Sequence, residues 1–558
     1  MGKERGTAGR SDPLDRWRKW LRHQHEVIVV IRPTLHTIAL LTLCCTACAA
    51  VSTPTSAPQR AATRIPSPTA GASPTTAPPN ATATATAPTR SWPGAGPVER
   101  VASETLVARV DPAAPPIDDQ YWVSPDGRRV GYFVEAGDGW AAVIDGQQGK
   151  GYEWTIIDDQ RSTSRLVWSP DGSRVAYIGR ADGKEFAVVD GQEGKPYDGV
   201  SSLTFSSDSR QVAYVATDGQ AMIPVAYGWD HVNYVPNLDR KRFAVIDGQE
   251  SPTYRGDGEG FVFSPDLSRL AYAASREGWH GLVLEGQPHG YRVFLSDDPL
   301  SGAGHDRVVG RQEGKGYTYV KRLFFSPDGR RLAYIAMDYS LPESLLIGVD
   351  GQEYGPYSGY CCPAFSPDGR HLAWSAMKGV GKETSGWFMV VDGREFRRYG
   401  TSWDFAFSPD GQCLAYEACE GEQCFVVVDG EAGRRYEDVI HHTLAFSPDS
   451  RWLAYAARQG GREFVVVDGW EGQPYDHILP YSLGFSPDSR WLAYVAEAGG
   501  RQFVVVGESE GQPCDEILGG RVVFDSPIAF HYLGRRGSEI YLVQETIEDA
   551  NTAQGLDV

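Results

Sequence analysis

The chain reads as all-β: a β-propeller of four-stranded antiparallel blades, with about ten repeat units. Three observations predict this. One motif returns about nine times, its period is near 40 residues, and each copy alternates strand-forming runs with turn residues. The clearest copy is Phe446-Ser-Pro-Asp-Ser-Arg-Trp-Leu-Ala-Tyr455, followed by Phe464-Val-Val-Val-Asp-Gly469 and Pro474-Tyr-Asp-His-Ile478. The copies open at Ser124, Ser169, Ser206, Ser264, Ser326, Ser366, Ser408, Ser447 and Ser486. The steps from Ser206 to Ser264 and from Ser264 to Ser326 are the long ones, so the third and fourth units carry insertions.

Each element has a physical reason. The first strand of a unit ends at Phe-Ser-Pro. Ser-Pro-Asp-Gly then suits a type I turn, because Pro presets φ at the second position and Asp and Gly favour the next two. The second strand alternates large and small residues: Leu453 and Tyr455 share one face, and Ala454 takes the other. The small face lets a neighbouring sheet come close. The third strand, Phe464 to Val467, is apolar without alternation, as in a strand covered on both faces. Asp468-Gly469 starts a turn. A weaker, more polar fourth strand is expected around Tyr475 and Ile478, at the outer edge.

A further unit is hidden at the C-terminus. Ile528-Ala-Phe-His-Tyr-Leu and Ile540-Tyr-Leu-Val543 match the apolar positions of Trp491 to Val506, but the chain then lacks a fourth strand. Thr105-Leu-Val-Ala-Arg-Val110 is a strand without a unit. It is expected to complete the last sheet and close the ring, which removes open edges. One large ring is the favoured reading; eight or nine blades, or two rings, stay open.

The Phe-Ser-Pro-Asp-Gly-Arg-Arg-Leu-Ala-Tyr type of motif resembles the WD40-like PD40 repeat of TolB-type propellers and of the propeller domains of prolyl-oligopeptidase relatives. The likeness spans roughly residues 119 to 547. It implies a propeller that meets partners at the cell envelope. It carries over no partner-binding residue, because the shared motif is structural.

The N-terminus reads as a signal or membrane-targeting segment over 1–51. Basic residues precede an apolar run from Thr37 to Val51. Cys45-Thr46-Ala47-Cys48 resembles a bacterial lipoprotein box, which makes Cys48 the lipidation candidate. Ordinary signal cleavage and a retained anchor are the alternatives. Residues 52–100, rich in Thr, Pro, Ala and Ser, read as a disordered linker. The propeller is placed at 101–547 and a tail at 548–558. The expected location is extracytoplasmic, at the envelope, tethered or secreted.

The net charge is −19, and the first 35 residues are basic, so the rest is more acidic still. Such a body disfavours nucleic acid. Expected partners are an envelope or extracellular protein, a peptide or a glycan. No G-x-S-x-G elbow, P-loop, H-E-x-x-H or EF-hand loop occurs, so no enzyme activity, cofactor or metal is expected. Cys419 and Cys424 flank a hairpin and are the disulfide candidates, two free thiols being the alternative. Adjacent Cys361 and Cys362 read as unpaired thiols, a strained vicinal disulfide being the alternative. The neighbours His441 and His442 would point apart on an extended chain, against a shared metal. The recurring Asp of Asp-Gly (Asp145, Asp190, Asp247, Asp350, Asp392, Asp429, Asp468) reads as turn chemistry rather than a ligand array.

Function should sit where units differ. The loops between second and third strands share a face with the connections between blades. That face carries 338–343, 378–386 and, above all, 218–242, whose Tyr227, Trp229, Asp230, His231 and Tyr234 are the ligand-binding candidates. The alternative is an insertion folded onto its own blade. Residues 296–309 read as a plain loop. The leading reading is a non-enzymatic, exported, lipid-tethered binding propeller. One competitor is a lyase or hydrolase with a central site, favoured if His, Glu, Asp or Arg side chains converge there. The other is a purely structural surface protein.

Overall fold

In the computed structural model, the described residues are Trp92, Gly94 and 96–548, except 154, 158–159, 163–164, 220–221, 228–230, 237–240, 252–260, 277–278, 287–318, 338–344, 379–385 and 400–403. They form a β-propeller: ten antiparallel sheets follow one another along the chain, and two hairpins stand apart from them. Sheet 1 is Trp122–Val123, Val130–Ala136, Gly139–Ile144 and Gln147–Tyr152, paired in that order. Sheets 2 to 9 span 167–193, 199–250, 262–286, 319–357, 359–399, 405–432, 438–471 and 477–510. Sheet 4 shows three strands among the described residues.

Sheet 10 combines the two ends of the fold. Its strands over 516–548 are completed by Glu99–Arg109, which runs antiparallel to Glu539–Glu548 with Thr105 opposite Leu542 and Arg109 opposite Glu539. The strand expected at 105–110 is therefore longer, and packing starts earlier still. Trp92 is buried against Trp470 and Phe485, ahead of the boundary expected at 101.

Two side chains lock most units. In the Ser-Pro-Asp-Gly turn of sheet 1, Gly127 N donates to Ser124 O at 2.8 Å, as a four-residue turn requires. The Ser124 hydroxyl is fully buried; it donates to Asp126 Oδ1 and accepts from Arg129 N. The buried hydroxyl is thus both a donor and an acceptor, as a buried polar group requires. The second lock is the Asp of Asp-Gly. Asp145 and Gly146 both have positive φ, 50° and 79°, as a two-residue hairpin turn demands. Asp145 Oδ1 accepts from Val130 N and Oδ2 from Arg129 Nε. The same pair of bonds recurs at Asp190 and Asp350, with His371 in place of the arginine at Asp392.

The arginine also joins sheets. Arg129 lies over the Trp168 ring of sheet 2 at 4.9 Å and donates to Ser173 O. Arg174, Arg269 and Arg331 repeat this against Phe205, Phe325 and Phe365 of the following sheets.

The apolar core is divided among the sheet interfaces. Leu453 and Tyr455 of sheet 8 pack towards sheet 7, while Ala454 and Ala456 pack with Leu492, Tyr494 and Ala496 of sheet 9. Each fully buried Val of a third strand contributes roughly 1.5–3 kcal/mol. The cycle of contacts returns to its start. Ala108, Leu533 and Ile540 of sheet 10 meet Val130 of sheet 1, Arg128 pairs with Asp525, and His531 bonds both Asp525 and the carbonyl of Asp126.

One expected element is misplaced. The fourth strand of sheet 8 is the short Trp470–Glu471, and His477–Ile478 already belongs to sheet 9, opposite Ala496 and Glu497. The chain leaves one sheet after Tyr475, which bridges Glu463, and enters the next at Asp476, whose N–H donates to Glu497 O.

Candidate functional site

First strands of successive sheets lie against one another, as for sheets 7 and 8, 8 and 9, and 9 and 10, so these edges face inward. The inner strands are interrupted a few residues before the Ser-Pro-Asp turn. Sheet 8 breaks between Val439 and Ala445, and His442 there has φ 61°; sheet 9 breaks likewise, with Tyr481 at φ 62°. These breaks carry side chains that the repeat does not prescribe.

The densest group lies where sheets 7, 8 and 9 meet. Glu417 sits mid-strand in Leu414–Glu420, in the slot filled by Ile335, Ala456 and Val495 elsewhere. It faces sheet 8 and is almost fully buried. His441, half-exposed, donates from Nδ1 to Glu417 Oε2 at 2.6 Å. Burial raises the Glu417 carboxyl above its ordinary range, with the His441 contact acting against it. His441 is raised in turn, chiefly by its hydrogen bond to Glu417 and in spite of burial. His442 turns elsewhere: its backbone N–H donates to Asp404 Oδ2, its ring is 3.5 Å from Asp404 Oδ1, and it stacks on the Tyr481 ring at 4.6 Å. The two imidazoles thus address different carboxylates.

Beside Glu417, Cys419 and Cys424 are register partners across the hairpin and their sulfurs are bonded. Cys419 Sγ lies 3.7 Å from Glu417 Oε1. Cys361 and Cys362 are also joined, where two free thiols were expected. The inner strand of sheet 6 is interrupted between Cys361 and Ala364, with Cys362 at φ 57°, so the two side chains leave the strand alternation that would hold them apart.

The insertion of sheet 3 forms its own hairpin. Met222–Tyr227 pairs with His231–Pro236, Tyr227 opposite His231 and Pro224 opposite Tyr234. Trp229 and Asp230 lie outside the described residues, as do the side chains of Tyr227, His231 and Tyr234. A second hairpin, Thr155–Ile157 with Gln160–Ser162, interrupts the connection from sheet 1 to sheet 2. Antiparallel order puts both hairpins, and the end of strand Leu414–Glu420 bearing Cys419, on the face opposite the Ser-Pro-Asp turns. Cys48, and the insertions at 296–309, 338–343 and most of 378–386, lie outside the described residues.

Sequence reasoning passed over Glu417 and Asp404. The usable signal was a charged residue in a slot otherwise held by Phe133, Ile178, Val215 or Ala456.

No protein-family model and no curated protein matches the chain. Solved structures do. The β-propeller domain of the Trilobed protease from Pyrococcus furiosus is 13% identical at a TM-score of 0.29, over 57% of this chain and 97% of that one. The Dos1 propeller is 10% identical at 0.29, over 62% and 92%. An acylaminoacyl peptidase in complex with Z-Gly-Gly-Phe-chloromethyl ketone is 12% identical at 0.30, over 62% of this chain and 58% of that one. Likenesses this distant say nothing of activity, and the architecture rests on the chain's own sheets.

Proposed function

We propose that this chain is a non-enzymatic binding propeller of the PD40, TolB-like kind, exported to the cell envelope and tethered by lipid at Cys48. Its ten sheets make one ring, carried on the linker that precedes it. The face opposite the Ser-Pro-Asp turns takes a protein, peptide or glycan. One observation carries this reading: among the described residues, the elements added to the repeat are two hairpins, and both stand on that face. The Ser-Pro-Asp side, by contrast, repeats the same hydrogen bonds from sheet to sheet. Uniform positions serve the fold, and loops held on a rigid scaffold serve recognition. The aromatic tip around Trp229 and Tyr234 is the proposed contact.

The test is Trp229→Ala with Tyr234→Ala. Capture of partners from envelope extract should fall at least about tenfold, or roughly 1.4 kcal/mol. Melting should hold within about 0.5 kcal/mol. A stability loss of roughly 3–5 kcal/mol would instead place the aromatics in a small core of their own. Release of the protein from membranes by Cys48→Ser tests the tether.

A second reading has its own support. Glu417 orients the His441 imidazole, leaving Nε2 available as a general base, which suits a lyase or hydrolase. Turnover of chromogenic ester, peptide or glycoside substrates that His441→Gln abolishes would establish it.

A further inference from the structure

The Glu417 group holds more potential ligands than its salt bridge uses. Glu417, Cys419 and Cys424 place a carboxylate oxygen and two sulfurs within 4.8 Å of one another. They belong to two adjacent strands of sheet 7, Leu414–Glu420 and Gln423–Val428, so the fold itself sets their spacing. With the disulfide closed, the sulfurs are bonded to each other and offer no thiolate.

We propose that reduction of Cys419–Cys424 opens a site for one thiophilic divalent cation, of which Zn²⁺ is the type, bound by the two thiolates and Glu417 Oε1. Zinc binds sulfur at about 2.3 Å and carboxylate oxygen at about 2.0–2.2 Å, so a tetrahedral site needs ligand atoms roughly 3.5–3.8 Å apart. Cys419 Sγ and Glu417 Oε1 already lie 3.7 Å apart. The two sulfurs need only separate, and cysteines facing each other across a ladder can do so by side-chain rotation.

His441 is the positioning residue. Its Nδ1–H holds Glu417 Oε2, which leaves Oε1 turned to the sulfurs. Carboxylates that ligate metals are themselves held by hydrogen bonds from an outer shell, the role His441 takes here. The fourth position is left for water or a ligand. The end of the hairpin lies on the same face as the added hairpins, and Cys419 and His441 are partly exposed there, so a cation has a route in.

The redox step balances with a dithiol as reductant. Its two thiols supply two electrons and two protons, Cys419 and Cys424 become thiols, and the reductant leaves as its own disulfide. Cation binding then releases the two thiol protons.

The experiment uses the full chain carrying Cys44→Ser, Cys45→Ser, Cys48→Ser, Cys361→Ser and Cys362→Ser, so that neither the N-terminal cysteines nor the other bonded pair contributes thiols. It is reduced with a phosphine and titrated anaerobically with Co²⁺, whose thiolate charge-transfer and tetrahedral ligand-field bands report the site. One equivalent should bind the reduced chain and be displaced by Zn²⁺, while the oxidised chain should bind none. Cys424→Ser should abolish the bands, and His441→Gln should weaken binding about 10- to 100-fold. Glu417→Gln should shift the ligand-field bands. If reduction alone unfolds the chain, Zn²⁺ should restore its melting transition. Absence of tetrahedral bands in a reduced chain that still melts overturns the proposal. So do bands that persist in Cys424→Ser, or a reduced, unfolded chain that Zn²⁺ does not rescue.

Discussion

The interface between sheets 7 and 8 and the interface between sheets 8 and 9 are built from the same repeat, yet they are filled differently. Between sheets 8 and 9, Ala454, Ala456, Val465 and Val467 meet Leu492, Tyr494 and Ala496, and the one buried charge there among the described residues, Glu463 of the third strand, is paired with His477 of sheet 9 and with Arg458. Between sheets 7 and 8, the same register holds Ala415, Val426, Leu453 and Tyr455, but also Glu417, the bonded cysteines and His441. The backbone hardly registers the change, because the N–H groups of Leu414 and Leu453 each donate to the aspartate of their Asp-Gly turn. A repeat that locks its strands through two turn side chains is free to vary what lies between them. The comparison separates what builds the ring from what departs from it.

The largest effect concerns what both interfaces depend on, the closed cycle of sheets. Deleting residues 92–110 removes Trp92 and the whole strand opposite Glu539–Glu548. It exposes an unpaired ten-residue edge on sheet 10. We expect loss of the cooperative melting transition or aggregation on heating. A truncated chain that melts like the intact one would show that sheet 10 is complete without the strand.

Next comes an exchange between the interfaces. Ala456→Glu puts a carboxylate into the fully buried slot that Glu417 occupies one sheet earlier, with Pro480 at the position that His441 holds there and His477 already engaged by Glu463. Burying an unpaired charge should cost roughly 3–5 kcal/mol by chemical denaturation. Glu417→Val with His441→Leu makes the opposite exchange and should be neutral or mildly stabilising, since apolar replacements of a buried ion pair often are. If Ala456→Glu proves harmless, the two interfaces are not equivalent in packing.

Cys419→Ser with Cys424→Ser should cost about 2 kcal/mol, as the short loop it closes implies. The same treatment of Cys413 and Cys514, which are unbonded, should cost less. Equal losses would mean that the first pair stabilises sheet 7 only by packing.

Much of this scaffold was legible because it repeats. The Ser-Pro-Asp-Gly turn, the alternation of Leu453, Ala454 and Tyr455 and the unpaired Thr105–Val110 segment each state a local requirement, and a repeated requirement stands out. The fourth strand was misread because Tyr475 and Ile478 look alike in sequence, although the chain changes sheets between them at Asp476. The Glu417 pair was not legible for a different reason. Its partner stands 24 residues away on the next sheet, and a single Glu on a strand looks solvated until the neighbouring sheet covers it.

The smallest effect tests the lock shared by both interfaces. Asp171 in the turn of sheet 2 accepts from the Ser169 hydroxyl at 2.6 Å, from Ser173 N at 3.0 Å and from the Ser173 hydroxyl at 2.8 Å. Burial by itself would raise the carboxyl, but these bonds outweigh it and hold the group down at about 2, from an ordinary 3.8. Asp266 and Asp328 in the equivalent turns are lowered as well, again by hydrogen bonds that overcome burial. A depressed carboxyl contributes stability that is complete above its unfolded pKa and is lost as pH falls through its folded pKa. For Asp171 that window runs from about pH 4 down to about pH 2. Because the side chain is exposed, solvent screening limits the contribution to about 1 kcal/mol or less. Asp171→Asn should therefore lower stability by that amount at neutral pH, and the difference from the parent should shrink as pH is taken below 4. A difference that stays constant across the window would mean that the turn is held by its backbone bonds and the Ser169 hydroxyl, with the carboxylate charge contributing nothing.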